Sequence, residues 1–118
     1  MTIITQIVGN SKELEKNGKV KLMKLYVIVR KDLSVSKRAV QAGHAVAQFC
    51  LCCPFSRWKN NTLIYLGIKN LNNLKKLINQ LNNNNIKFIE FREPDIGNQI
   101  TAIATDQYYE MFDKMKLL

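Results

Sequence analysis

The sequence contains no run of about 18 apolar residues, so it has no helix able to span a bilayer. Its first residues, Met1-Thr2-Ile3-Ile4-Thr5-Gln6-Ile7-Val8, follow no basic segment and are too short and too polar for a secretion-signal core. A cytoplasmic location is therefore expected. Cysteine is scarce: Cys50, Cys52 and Cys53 form an odd, clustered set, which excludes a disulfide scaffold and fits a reducing compartment. Cys50 and Cys53 have the spacing of a C-x-x-C pair, but a structural zinc site needs four ligands and the chain offers only His44 besides. No metal is expected, and the thiols are read as buried near a helix end. The common catalytic signatures are missing too: there is no G-x-S-x-G, no P-loop, no G-x-G-x-x-G and no H-E-x-x-H.

Negative charge is also in short supply. Against 18 Lys and Arg there are 9 Asp and Glu, for a formal net charge of +9. A surplus of this size on a small domain points to a polyanionic partner, whether nucleic acid, nucleotide or anionic lipid, or else serves solubility alone. The charge is unevenly placed. Residues 19–38 carry Lys19, Lys21, Lys24, Arg30, Lys31, Lys37 and Arg38 against Asp32, whereas residues 90–113 carry six acids against Arg92.

What is present is enough for one globular domain. The chain has 118 residues, 47% of them hydrophobic, and can bury a core without disulfides or metals. Residues 1–22 read as an N-terminal arm, with turn signals at Asn10-Ser11 and Asn17-Gly18, and residues 23–118 as the folded domain. Leu25 to Val29 is a short apolar run of the kind that forms a central strand covered on both faces. Ser34 offers an N-cap, and Ser34 to about Cys52 has helical periodicity. At about 100° per residue, Lys37, Gln41, His44 and Gln48 share one polar stripe, opposite Val35, Ala39, Ala42, Val46 and Cys50. The expectation is that the second group packs and the stripe faces outward.

Further strands are expected at Thr62–Leu66, Ile86–Phe91 and Ile100–Thr105, a second amphipathic helix from Leu71 to Leu81, and a last helix from Asp106 to about Met115 capped by Asp106. The tract Asn82-Asn83-Asn84-Asn85 stops the second helix and otherwise reads as compositional bias. The order β-α-β-α-β-β-α predicts an α/β fold, a three-layer α/β/α sandwich on a small mixed four-stranded sheet. The sheet is mixed because the connection between the last two strands is short enough to leave them antiparallel.

Ligands of α/β sheets bind beyond the carboxyl ends of strands, near helix N-termini. Arg30, Lys31 and Lys37 belong to that edge. There the residues resemble a known family. The strand Tyr26-Val27-Ile28-Val29-Arg30-Lys31-Asp32-Leu33, then Lys37, Gln41, His44 and Ala45 in the pattern K-x-x-x-Q-x-x-H-A, and later Asp95-Ile96-Gly97 entering the last strand, are similar to the archaeal and eukaryotic (type II) peptidyl-tRNA hydrolase family. The resemblance runs from about Lys24 to the C-terminus. It departs from the family where Ser34-Val35-Ser36 replaces a glycine-rich approach to the helix, and where Asn98-Gln99 follows Gly97 in a shortened loop, leaving Thr101 to stand in for the family's threonine.

The resemblance implies hydrolysis of the ester between a peptide and the 3′ ribose of tRNA, with no cofactor. Asp95 would orient or deprotonate water, Lys37 would neutralise developing charge or hold the terminal phosphate, and Thr101 would donate to the oxyanion. Gln41 and His44 would order them. Arg30, Lys31, Arg38, Arg57 and Lys59 would meet phosphates, and Trp58 would stack on a base. The partner is tRNA, with no membrane; a homodimer is compatible with the same reading. A non-catalytic tRNA- or RNA-binding module and a protein-interaction adaptor stand beside it. On this reading, charge reversal at Lys31 plus Arg38 weakens tRNA binding more than reversal at Lys114 plus Lys116.

Overall fold

A computed structural model describes residues 23–118. The arm expected at residues 1–22 lies outside the described residues. The first strand, β1 (Lys24–Arg30), is buried at every position from Leu25 to Arg30. A strand can be buried that completely only if both faces are covered, and they are. Leu25, Val27 and Val29 point into one core, with Ala42, Ala45, Phe49 and Trp58. Tyr26 and Ile28 point into the other, with Leu74, Leu77, Ile78, Leu81 and Phe112. The period of two along β1 thus separates two apolar layers.

The helix α1 (Val35–Cys52) covers the first layer and α2 (Leu71–Asn83) the second. Between them lie β1, β2 (Thr62–Ile68), β3 (Ile89–Glu93) and β4 (Gln99–Thr105), in the order β2-β1-β4-β3. β1 runs parallel to β2 and antiparallel to β4, and β3 is antiparallel to β4. The three-layer α/β/α arrangement with a mixed four-stranded sheet is the architecture expected from the sequence. Ser34 caps α1, its Oγ accepting from the Lys37 N–H at 3.4 Å, and Asn70 caps α2 through the Asn73 N–H at 2.9 Å.

Several boundaries and one helix face differ from expectation. β3 starts at Ile89 rather than Ile86, because the Ile86 N–H bonds back to the Leu81 carbonyl at 2.9 Å and Asn85 takes a left-handed conformation with φ 57°. The expected last helix is only a five-residue 3-10 turn, Glu110–Lys114, with no side-chain cap. Asp106, read as its cap, instead accepts from Ser56 Oγ at 2.5 Å, and the Thr105 hydroxyl holds the Gln107 N–H at 3.1 Å. The segment is anchored by Phe112, whose ring lies 4.8 Å from that of Tyr26.

α1 is rotated from the expected setting. It buries Gln41, Ala42, Ala45 and Phe49, while Val35, Ala39 and Cys50 are exposed. Phe49 decides this: it is the large apolar side chain that reaches the core, packing edge-on to Trp58 at 6.5 Å. Bringing Phe49 in carries Ala45, Ala42 and Gln41 with it at helical spacing. The thiols are consequently not buried: Cys50 and Cys52 are exposed and Cys53 half-buried, its pKa raised chiefly by that burial.

Candidate functional site

A pocket of about 290 Å³ opens where the N-terminal half of α1 faces the loop between β3 and β4. Lys37, Gln41, Glu93, Asp95 and Thr101 all line it, with Leu33, Val40 and Ile96 supplying apolar wall. Three elements distant in sequence meet here, and the reason is local. β1 ends in Arg30, whose buried guanidinium grips both oxygens of Asp32 at 2.9 and 2.8 Å and the Ile100 carbonyl at 3.1 Å. Its Nη1 also donates to Gln99 Oε1 at 2.9 Å. This ties the turn before α1 to the start of β4. The same guanidinium lowers the pKa of Asp32, its hydrogen bonds outweighing the opposing effect of burial.

Arg38 fastens the turn from its other side. Its Nε donates to the Leu33 carbonyl at 2.9 Å and its Nη2 to the Lys31 carbonyl at 2.6 Å. Arg30 was expected to meet phosphate; instead it is 6% exposed with its donors engaged inside the protein. Trp58 is likewise corrected. Its indole is 7% exposed and donates to the Thr62 carbonyl at 2.8 Å, so its ring offers no open face for a base. Arg57 and Lys59 are exposed on the loop beyond the C-terminus of α1, roughly 20 Å of helix away from Lys37.

Thr101 reaches the pocket through an irregularity. Between β3 and β4, Phe91 pairs with Ala102 but Arg92 pairs with Ile100, so Thr101 is the extra residue of a β-bulge. The bulge turns its side chain toward α1, where its hydroxyl donates to Gln41 Oε1 at 2.5 Å. The other end of the same amide donates from Nε2 to Glu93 Oε1 at 2.8 Å. The carboxylate fixes the direction of this relay. An ionised Glu93 only accepts, so Gln41 must present its NH2 there, and its carbonyl must then take the Thr101 proton. Thr101, expected to donate to an oxyanion, has its hydroxyl proton engaged with Gln41.

Glu93 is the site residue that the sequence reading missed. The Gln41 amide holds its pKa below the ordinary carboxylate value; the Asp95 N–H and the nearby His44 act in the same direction, and partial desolvation opposes them. Glu93 Oε2 accepts from the Asp95 N–H at 3.4 Å, and its carbonyl accepts from Asn98 at 3.0 Å. These bonds close the turn Pro94–Ile96, which Gly97 ends in the left-handed region at φ 68°. Only its place directly before Pro94-Asp95, opposite a glutamine in the helix, could have marked Glu93 in the sequence.

Lys37 is exposed, and its side chain makes no hydrogen bond or ion pair among the described residues. Lys37 is one of the residues that line the pocket. His44 does not line the pocket. It stacks flat on Phe91 of β3, with ring centroids 4.5 Å apart and 3° between planes, and so bears on the strand that leads to Glu93 rather than on Lys37. The pocket thus presents one cation, two carboxylates at a tight turn, Glu93 and Asp95, and a buried amide–hydroxyl relay beneath them.

Among the described residues no helix is long and apolar enough to cross a membrane, and no three His, Cys, Asp or Glu side chains form a group able to hold a metal ion. No curated protein matches the chain. The family model described as peptidyl-tRNA hydrolase PTH2 matches residues 23–108. That span takes in both helices, all four strands and every residue of the pocket. The chain belongs to the peptidyl-tRNA hydrolase PTH2 family.

Proposed function

We propose that this protein hydrolyses the ester joining a peptide, or an N-blocked amino acid, to the 3′ ribose of tRNA. The observation that carries the reading is the single pocket into which Lys37 and Asp95, 58 positions apart, both open. Water bound at the Asp95 carboxylate attacks the ester carbonyl carbon and gives up a proton to that carboxylate. The Lys37 ammonium neutralises the oxyanion that forms. As the tetrahedral intermediate collapses, the bond to the ribose 3′ oxygen breaks and the proton passes to that oxygen. The peptide leaves as a carboxylic acid and the tRNA with a free 3′ hydroxyl.

The remaining pocket groups are positioning residues. Thr101 orients Gln41, Gln41 orients Glu93, and Glu93 holds the turn that carries Asp95. The apolar wall of Val40 and Ile96 accommodates the part of the substrate next to the ester. The test is release of peptide from peptidyl-tRNA in a single turnover, by wild type and by Asp95→Asn. Release by the wild type with a rate on the order of a hundredfold lower in the variant is the expected result. Binding of tRNA without any release transfers the protein to the second class, a tRNA-binding module of the same fold.

A further inference from the structure

A second concavity among the described residues is separate from the pocket above and larger than it. It is a cleft of about 600 Å³ on the opposite face of the sheet, against α2. Lys31, Lys69, Lys76, Lys114 and Lys116 line it, and no acidic side chain does. All five lysines are exposed. We propose that this cleft is the track for the phosphodiester backbone of the tRNA substrate, a proposal that rests on the reading of the protein as a peptidyl-tRNA hydrolase.

The lysines come from four separate parts of the chain, and specific features gather them. Lys31 follows β1, and its N–H donates to the Ile68 carbonyl at 2.7 Å. Its stem lies across Gly67 of β2: a Cβ at that position would sit 2.5 Å from Lys31 Cδ and 2.8 Å from Cγ. Glycine at 67 is what leaves room for this lysine to reach over the sheet into the cleft. Lys69 stands in the connection to α2, and Lys76 on the face of α2 that lines the cleft with Leu77.

The C-terminal segment supplies the other wall. The Gly67 N–H donates to the Lys116 carbonyl at 3.0 Å, Leu66 pairs with Leu117 in an antiparallel bridge, and the Leu118 N–H donates to the Tyr65 carbonyl at 3.0 Å. The tail is therefore stitched along β2, and Lys114 and Lys116 are carried to the same rim as Lys31. The neighbouring acid, Asp113, turns aside to accept from the Tyr108 hydroxyl.

This chemistry selects an extended polyanion. Like charges gathered around one cleft repel one another and are tolerated because they remain solvated. Leu77 and Met115 give the cleft an apolar lining that supports the lysine stems and concentrates the field. A backbone of regularly spaced phosphates satisfies several ammonium groups at once and releases counterions as it does so. The catalytic pocket needs only the 3′ end of the substrate, so a separate basic face would hold the body of the tRNA and set affinity without touching the ester.

The test compares wild type with Lys76→Gln/Lys114→Gln/Lys116→Gln, all three being exposed positions. Binding of deacylated tRNA is measured across a salt series, and hydrolysis is measured on peptidyl-tRNA and on a short peptidyl-CCA oligonucleotide. The variant is expected to lose about 2 to 3 from the slope of log affinity against log salt, and on the order of tenfold in affinity at low salt. Its kcat/KM on peptidyl-tRNA should fall in parallel, with its rate on the short oligonucleotide unchanged. Gly67→Ala, which displaces Lys31 without altering charge, should produce a smaller loss in the same direction. An unchanged affinity and salt slope overturns the proposal, as does an equal loss on the short substrate. If wild type cleaves neither substrate, the hydrolase reading fails, while the binding arm still decides whether the cleft holds tRNA.

Discussion

Two concavities of this protein lie on opposite faces of one sheet and hold their polar groups in opposite ways. In the pocket under α1 the polar side chains are coupled: Thr101 and Gln41 are buried and bonded to each other, and Gln41 to Glu93. In the cleft against α2 the five lysines are exposed and line one concavity. Buried hydrogen bonds fix position to a fraction of an ångström but are costly to break. Exposed like charges fix nothing precise, yet their field reaches about a Debye length, ~8 Å at physiological salt. Placing water against an ester calls for the first arrangement, and attracting a long polyanion calls for the second.

The sharpest way to separate the two faces is to remove the two groups proposed to react. Lys37→Ala and Asp95→Asn should each slow peptide release by on the order of a hundredfold. Lys37→Ala should also weaken tRNA binding, whereas Asp95→Asn should leave it intact or tighten it by removing a negative charge. Filter binding beside single-turnover release reads both. Retention of the wild-type rate by both variants would mean that the pocket is not where the chemistry occurs.

Next comes the relay. Gln41→Leu leaves the buried Thr101 hydroxyl without its partner, which should lower stability by about 1–3 kcal/mol in thermal or urea unfolding, and takes from Glu93 the amide it accepts from. It also removes the main influence holding Glu93 below its ordinary pKa. The acid limb of the rate profile should therefore move to higher pH in Gln41→Leu, provided the turn at Asp95 depends on an ionised Glu93. A profile that falls in height without moving would show that Gln41 acts on structure alone.

Charge changes should act on one face only. Because Lys31, Lys114 and Lys116 share a cleft, reversing Lys114 plus Lys116 should weaken tRNA binding at least as much as reversing Lys31 plus Arg38. This replaces the order expected from the sequence, since the Arg38 guanidinium is engaged with two backbone carbonyls. Affinities at matched salt concentrations decide it.

The smallest effect belongs to the turn between the faces. Arg30 holds the pKa of Asp32 below the ordinary carboxylate value, so the contribution of Asp32 to stability is present above that ordinary value and is lost as pH falls through the lower folded value. Asp32→Asn should lower the melting temperature slightly near neutrality. It should also flatten the loss of stability that the wild type shows below about pH 4. Parallel melting curves against pH for the two proteins would refute the assignment.

The amino-acid sequence by itself determined the layers. The apolar run Leu25–Val29, period 3.6 in α1 and α2, and the cap Ser34 are local properties, and local steric and hydrogen-bonding rules read them directly. Lys37, Gln41 and Asp95 were legible through the family resemblance, because each of its motifs lies within one helix or one turn and survives as a short stretch of sequence. Tertiary structure alone decided three things. It set the rotation of α1, because Phe49 competes with the smaller residues of the expected face and only packing against Trp58 and β1 resolves that competition. It placed Thr101 in a bulge, because a register shift belongs to a pair of strands and not to either one. And it brought Lys116 back beside Gly67 and Lys31, because an antiparallel bridge at the chain end is a contact between residues about 50 and 85 positions apart, whose entropy of closure only the finished sheet offsets.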